Sequence, residues 1–405
     1  MNVPLSLPDI GDLEIQYVTD VLRSGNLSIG PRVREFEDKF ASFVGTRFAV
    51  ATNSGTSALH LIVRALELGP EDEVITTSFS FFASAACILY ERALPIFVDI
   101  DPLTLNIDPV QIRSFLEERC FKEPATETYV DRLTKRKVKA ILPVHVFGLP
   151  CEMEPIMALA AEYRLAVIED ACEALGAKYQ FRHVGTFGAA AAFAFYPNKQ
   201  LTTAEGGMVV TNDEQIALLA RSMRNQGRDL DSGWLKHVRL GYNFRLSDVH
   251  CAIGIAQLER LPELMDLRSH VANQYDQSLA GIPGLRLPYT PPWCDRSWFA
   301  YVARFDNYSG PGTPSRRNRI MQALKAKNIG CQPYFPSIHQ QPYFREIGSC
   351  EYGRLANTDR AADSCLALPM FSKASSDQIS YVCECLRDIL KRERAELICR
   401  DWVTS

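Results

Sequence analysis

Residues 165–176 read LAVIEDACEALG, and this stretch decides the class of fold. Its apolar run, 165–168, is too short for a helix, carries the β-branched Val167 and Ile168, and stops at two carboxylates. An unbroken apolar run of that length is the pattern of a strand covered on both faces, as in a parallel sheet. Asp170 then stands at the carboxy end of the strand, the edge where ligands gather in open α/β sheets. An ionised carboxylate there needs a cation or hydrogen-bond donors, because burial without them is costly. The plainer alternative is an aspartate that caps the following helix.

The same pattern extends on both sides. Strands are expected at 48–53, 73–77, 94–99, 138–145 and 165–170, with helices at 56–68, 82–91 and 152–163. In the first helix Leu59, Ile62, Val63 and Leu66 share one face. Segments 190–196 and 208–211 read as a closing hairpin. Strands joined by helices are the α/β pattern. The polar stretch 117–137 reads as a helix extension and a surface loop, and carries no assigned chemistry. A long helix over 247–267 is kinked or divided by Pro262. Proline-rich segments at 282–292 and 311–314 follow, then a strand near 298–305 and helices near 315–325 and 376–397. The expectation is a large domain over 1–250, N-terminal segment included, and a smaller α+β domain over 251–405.

The chain has 405 residues, 47% hydrophobic and 23% charged, which is a globular composition. Its 44 basic and 48 acidic side chains leave a net charge of -4, so electrostatics give no reason to expect a nucleic-acid or anionic-membrane partner. Residues 1–14 lack a basic start followed by an apolar run, and no apolar stretch approaches the roughly 18 residues of a membrane span. Twelve scattered cysteines include no Cys-x-x-Cys pair, and the seven histidines have no zinc-ligand spacing. Reduced core thiols in a cytoplasmic protein and no bound metal are expected.

A Gly-x-Gly-x-x-Gly turn, a Gly-Lys-Ser/Thr phosphate loop and a Gly-x-Ser-x-Gly elbow are all missing, which disfavours a dinucleotide dehydrogenase, a nucleotide triphosphatase and an α/β hydrolase. Two motifs join 165–176. Residues 53–57, NSGTS, lie between a strand and a helix, where Gly55 permits a tight turn. The amides of Thr56 and Ser57 at the helix start could hold a phosphate, or the turn is an ordinary capped helix. Residues 193–207, FAFYPNKQLTTAEGG, set Lys199 after an apolar strand. A lysine so placed can act as nucleophile or base, whereas a lone lysine in a turn is usually just solvated. A phosphate cradle, a strand-end aspartate and a lysine are together what pyridoxal 5'-phosphate requires.

At this point the chain resembles the DegT/DnrJ/EryC1/StrS family of pyridoxal-phosphate enzymes, chiefly sugar aminotransferases. The resemblance runs nearly end to end through 24–37 (SGNLSIGPRVREFE), 53–59 (NSGTSAL), 96–108 (IFVDIDPLTLNID), 169–176 (EDACEALG), 199–211 (KQLTTAEGGMVVT), 241–248 (GYNFRLSD) and 336–343 (PSIHQQPY). It implies the type I fold of pyridoxal-phosphate enzymes: a large α/β domain with a mainly parallel seven-stranded sheet, and a smaller α+β domain. It implies that Lys199 forms the Schiff base and shuttles the proton, that Asp170 pairs with the pyridine nitrogen, and that Phe81 stacks on the ring. Thr56 and Ser57 would bind the phosphate through their backbone. Asn243 would reach that phosphate from a neighbouring subunit, in a homodimer with shared active sites. Ser28, Ile29, Gly30, Arg245 and His339 match positions near the substrate.

The implied reaction is transamination of a nucleotide-linked keto-sugar, a 4-keto-6-deoxyhexose, with glutamate as donor. A 3-keto-sugar or cyclitol aminotransferase differs only in the pocket. Sugar dehydratases on this scaffold usually carry histidine in place of the lysine, and a regulatory homologue would not need Lys199, Asp170 and the phosphate turn together. Two positions depart from many relatives. Ala194 stands where a serine commonly holds the phosphate. Glu173 stands where glutamine is common near the phenolic oxygen of the cofactor, which implies a different protonation balance there.

Overall fold

The computed structural model describes residues 1–229, 235–305, 315–348 and 350–403, and the proline-rich 311–314 lies outside them. The first part of the chain runs α1 (Asp12–Ser24), α2 (Pro31–Val44), β1 (Phe48–Thr52), α3 (Gly55–Ala65), β2 (Asp72–Thr77), α4 (Ala83–Tyr90), β3 (Leu94–Val98) and α5 (Pro109–Ser114). Then come β4 (Cys120–Lys122), β5 (Tyr129–Asp131), β6 (Lys137–Leu142), α6 (Met153–Tyr163), β7 (Ala166–Asp170), β8 (Lys178–Tyr179), β9 (Arg182–His183), β10 (Ala190–Ala194), β11 (Gly207–Thr211) and α7 (Glu214–Arg224). The remainder is α8 (Asp248–Glu259), α9 (Leu261–Leu279), β12 (Leu285–Arg286), β13 (Cys294–Asp295), β14 (Tyr301–Phe305), α10 (Arg316–Lys325), α11 (Pro342–Ile347), α12 (Ala356–Ser364), β15 (Cys365–Leu368) and α13 (Ser376–Val403).

The main sheet has the order β1-β11-β10-β7-β6-β2-β3. β2, β3, β6, β7 and β10 pair in parallel, and β11 is antiparallel to both β10 and β1. This is the expected seven-stranded, mainly parallel sheet. The sheet gains two further strands where 117–137 was expected to be helix and loop. β4 and β5 form an antiparallel hairpin, and β5 adds to the start of β6. Cys120, Val130 and Asp131 turn inward there while polar neighbours face water, so each strand shows only a fragment of period-two alternation.

Alanines at 190–192 in β10 allow close approach. Ala190 and Ala192 share one apolar cluster with Ala58 and Ile62 of α3, which lays α3 across the centre of the sheet. Ser54 caps α3, its Oγ accepting the Ser57 N–H at 3.1 Å, an arrangement worth about 1 kcal/mol.

The long helix expected over 247–267 is two helices meeting at Arg260, with Pro262 in the first turn of α9, where a missing N–H costs nothing. α8 packs with the N-terminal part of the chain: Cys251 and Ile255 share a cluster with Phe36 and Phe40 of α2 and Phe193 of β10. The position 250/251 lies within α8. The second body begins within α9, whose Val271, Tyr275 and Leu279 join β14, β15, α10 and α13 around the three-stranded sheet β12-β14-β15. The chain start belongs to this body too, since Val3 N donates to Asn328 O at 3.0 Å and accepts from Gly330 N at 2.8 Å through its carbonyl. The eleven cysteines from Cys87 to Cys385 are free, and no described helix is long and apolar enough to cross a membrane.

Candidate active site

β7 delivers Asp170 to the carboxy edge of the sheet, where it is 5% exposed. Its Oδ2 accepts the Ser84 hydroxyl at 2.7 Å and its Oδ1 the Cys172 N–H at 3.1 Å. Ser84 stands 2.7 Å from Ser80 on the loop that leads into α4. Because Ser84 spends its proton on Asp170, Ser80 is the donor in that second bond. The carboxylate is thus oriented by neutral donors and has no cation bonded to it among the described residues. Glu169, one residue earlier, points to the opposite face, as strand alternation requires. It accepts the N–H groups of Gly185, Phe187 and Gly188 at 2.7, 2.7 and 2.8 Å. His145 Nδ1 accepts the Cys151 N–H at 3.0 Å, so its proton is on Nε2, which donates to Glu169 at 3.3 Å.

Lys199 follows β10 in a turn closed by its own N–H on Tyr196 O at 2.9 Å. Its Nζ lies 3.6 Å from Glu173 Oε1 and 3.9 Å from the centroid of the Phe299 ring. Glu173 Oε2 accepts the Phe147 N–H at 2.9 Å. Burial pushes the Glu173 carboxyl above the usual range, partly offset by the Lys199 charge and the Phe147 N–H. The Cys172 thiol, raised by burial and then by the Asp170 charge, is lowered in part by Lys199. Asp170, Cys172, Glu173 and Lys199 therefore lie within electrostatic reach of one another.

The NSGTS turn closes the group. The first-turn N–H groups of Gly55 and Thr56 have no intrahelical acceptor, whereas the Ser57 N–H, expected to be free, is taken by the Ser54 cap; the hydroxyls of Ser54 and Ser57 meet at 2.9 Å beside them. A Cβ on Gly55 would stand 2.6 Å from Ala194 Cβ and 2.9 Å from Cys172 Sγ, while a Cβ on Gly207 would stand 2.4 Å from the Ser54 carbonyl. Only residues without side chains let this helix start press against the strand that leads to Lys199 and the loop that follows Asp170. An anion-binding helix end, a buried carboxylate acceptor and a primary amine thus converge, and this donor set fits pyridoxal phosphate. Ala194 faces the turn with a methyl group where a hydroxyl would have added one donor.

The other expected residues form two outlying groups. Phe81 is 62% exposed on the Ser80 loop, while its neighbour Phe79 is buried. His339 is tied to the same loop: Ser78 Oγ shares a hydrogen bond with its Nδ1 at 2.7 Å and accepts its backbone N–H at 3.0 Å, and its Nε2 faces Asp359 at 3.3 Å. Asn243 is exposed and bridges Asn225, and the carbonyl of the next residue, Phe244, accepts the Asn53 N–H at 3.0 Å. Arg245 Nη1 donates to Asn225 Oδ1 at 3.0 Å. Ser28 bridges Ser247, Ile29 takes φ 59° with 65% exposure, and Gly30 N donates to Asp248 Oδ2 at 2.7 Å. Residues unremarked in the sequence also stand here. Ser84 orients Asp170, Phe299 and Phe147 flank the lysine and its carboxylate, and Gln200 Nε2 donates to Glu173 O at 2.6 Å. Only Gln200, adjacent to the lysine, carried a positional signal.

Glu173 makes stability depend on pH. A carboxyl whose folded pKa is raised stabilises the fold below its ordinary range, and that contribution is lost as pH rises through the folded value. Relative to the parent, Glu173→Gln should gain stability steadily from about pH 4.5 upward. Denaturant unfolding from acid to pH 8 measures this, and parallel curves for the two proteins would contradict it.

The family model of the DegT/DnrJ/EryC1/StrS aminotransferases matches residues 8–387. The chain is 37% identical over 399 residues to the spore coat polysaccharide biosynthesis protein SpsC of Bacillus subtilis, covering 96% of this chain and 97% of that one. It is 34% identical over 397 residues to GDP-perosamine synthase of Caulobacter vibrioides, covering 96% and 98%. Among solved structures, S. venezuelae DesV superposes with a TM-score of 0.83 at 30% identity, covering 96% and 98%. Sequence, fold and the lysine–carboxylate site agree that the chain belongs to the DegT/DnrJ/EryC1/StrS aminotransferase family and is a pyridoxal-phosphate-dependent aminotransferase.

Proposed function

We propose that the protein transfers the amino group of glutamate to a nucleotide-linked keto-sugar, a 4-keto-6-deoxyhexose, in the cytoplasm and as a homodimer with shared active sites. The observation that carries the reading is the convergence of Lys199, Asp170 and the Gly55–Ser57 helix start. The SpsC and GDP-perosamine synthase relatives, whose names place them in polysaccharide and nucleotide-sugar chemistry, support the substrate class.

When bound, the cofactor supplies an electron-accepting ring that spreads the negative charge developing at the substrate carbon. Asp170, already oriented by Ser84 and Cys172, pairs with the ring nitrogen and keeps it protonated. The Thr56 and Ser57 end of α3 would hold the phosphate, Thr56 through its N–H and Ser57 through its hydroxyl, with Asn243 of the partner subunit completing the cradle, and Phe81 would cover the ring face. Lys199 Nζ would take the proton from Cα of the donor and return it to the cofactor carbon, and in the second half-reaction would carry a proton from that carbon to the carbon that was the ketone. The same amine serves as base and then as acid. Glu173, 3.6 Å away, holds the ammonium form between transfers. Ser28, Ile29, Gly30, Arg245 and His339 border the substrate.

Keto-sugar nucleotides presented with glutamate test this. Formation of 2-oxoglutarate with amination of a 4-keto-6-deoxy substrate is expected. Amination confined to a 3-keto-sugar or a cyclitol would move the substrate assignment, and no amination from glutamate would remove the donor.

A further inference from the structure

Arg268 lies in the middle of α9, 3% exposed. No carboxylate stands within 4.0 Å of it among the described residues. Burial lowers its pKa to about 10, with Asp9 offering a partial offset, so it remains charged at neutral pH. Burying a guanidinium without a carboxylate is costly, and an apolar side chain of the same length would fill the space more cheaply. Its hydrogen bonds show what the charge contacts. Nη1 donates to Trp298 O at 3.2 Å and Phe299 O at 3.3 Å, and Nη2 donates to Asn198 O at 3.3 Å and Lys199 O at 3.0 Å.

Those four carbonyls come from two segments far apart in sequence, and each segment supplies one side of a single contact. One holds Lys199. The other holds Phe299, whose ring centroid lies 3.9 Å from Lys199 Nζ. An ammonium over an aromatic face is attracted by the ring quadrupole. A planar guanidinium with a fixed fork of donors can hold both main chains at a set spacing, which a lysine ammonium cannot do in the same geometry. A second link runs alongside: Gln200 Nε2 donates to Glu173 O at 2.6 Å and to Ser297 Oγ at 2.9 Å, tying the carboxylate's own backbone to the same pair of segments. Tyr334 stacks on Phe299 at 6.2 Å and 9° and backs the ring.

We propose that Arg268 is a positioning residue for Lys199: by bonding the carbonyls of both Lys199 and Phe299 it sets the place between the Phe299 ring and Glu173 where the ε-ammonium rests, ready to engage the cofactor. This rests on the assignment of Lys199 as the residue that bonds the cofactor. The role predicts a slow amine rather than a missing one. A misplacement of about 1 Å costs on the order of a hundredfold in rate.

The test mixes apoprotein with pyridoxal phosphate and follows the rise of near-visible absorbance as the lysine captures it. Arg268→Met should keep the parent circular dichroism yet capture the cofactor about ten- to a hundredfold more slowly, and in steady state lose kcat with little change in KM for the amino donor. Phe299→Leu should reproduce the slow capture with Arg268 intact, and Arg268→Lys should recover it only in part. Arg260→Met, at the start of the same helix and paired with Asp9 and Glu14, should lower the melting temperature and leave the capture rate unchanged. Should Arg268→Met fail to fold, Arg268→Lys and Phe299→Leu still read the same rate. Capture at the parent rate by the folded Arg268 variants would overturn the inference and leave Lys199's assignment standing. Absence of capture by the parent protein would instead remove that assignment.

Discussion

Lys199→Ala is expected to yield a folded protein without measurable amino transfer. In the proposed mechanism the side chain supplies both the nucleophile and the mobile proton, and no second amine stands at Glu173 to replace it among the described residues. The loss in kcat should exceed about a thousandfold, since nucleophilic and acid–base contributions vanish together. The fold should survive because the lysine joins no apolar cluster: its amine lies over Phe299, and its ion pair among the described residues is the 3.6 Å contact with Glu173.

That ion pair gives the variant a second signature. Without Lys199 the Glu173 carboxyl keeps only the Phe147 N–H, and burial drives it further upward. The stability cost, about 1–3 kcal/mol for leaving a buried polar group short of a partner, should be small in mild acid and grow as pH rises. The double variant Lys199→Ala/Glu173→Gln should regain stability at pH 8 and remain inactive. Thermal unfolding at two pH values, beside an assay of 2-oxoglutarate formation, separates the outcomes. A single variant that is equally destabilised at both pH values would show that the pair does not couple as the geometry requires.

Asp170→Asn is expected to be nearly as damaging to turnover and much gentler to the fold. The amide keeps the shape and still accepts the Cys172 N–H through Oδ1. Its Nδ2 would donate to Ser84 Oγ, reversing that bond, and Ser84 would then donate to Ser80, 2.7 Å away. A two-serine relay that can reverse direction keeps each of these contacts bonded, so the melting temperature should fall less than in a variant that removes the acceptor altogether. The negative charge is lost, and with it the proposed partner of the protonated ring nitrogen. Removing one preorganised electrostatic partner costs about a hundred- to a thousandfold in kcat. Asp170→Ala, by contrast, leaves the Ser84 hydroxyl and the Cys172 N–H without an acceptor and should lower stability as well. Turnover within a few-fold of the parent in the asparagine variant would contradict the assigned role.

Much of this site was readable in the chain because its residues lie at the ends of strongly patterned strands. β7 runs Ala166–Asp170 where 165–170 was expected, and β10 and β11 form the expected hairpin on either side of Lys199. Turn chemistry placed the start of α3 within one residue, through the Ser54 cap. What stayed hidden has a common cause: side chains that act on backbone, or contacts between distant segments. Arg268 bonds four carbonyls, and carbonyls leave no mark in a sequence. On a helix an arginine reads as solvent-facing. Ser84 looks like any small helix residue until β7 lies beside it. In the aromatic run 79–82 nothing in the sequence tells that Phe79 is buried and Phe81 exposed. The pairing of Val3 with the segment after α10 joins residues more than three hundred apart, beyond any local pattern.

The claim beneath all of this is that one amine, that of Lys199, bonds the cofactor opposite Asp170. Reduction of the cofactor-loaded protein with borohydride, followed by peptide mass spectrometry, tests it most directly. The expected result is a pyridoxyl group fixed on Lys199 alone, lost in Lys199→Ala and retained in Asp170→Asn. A pyridoxyl group on another lysine, or none on a protein shown to have bound the cofactor, would contradict it.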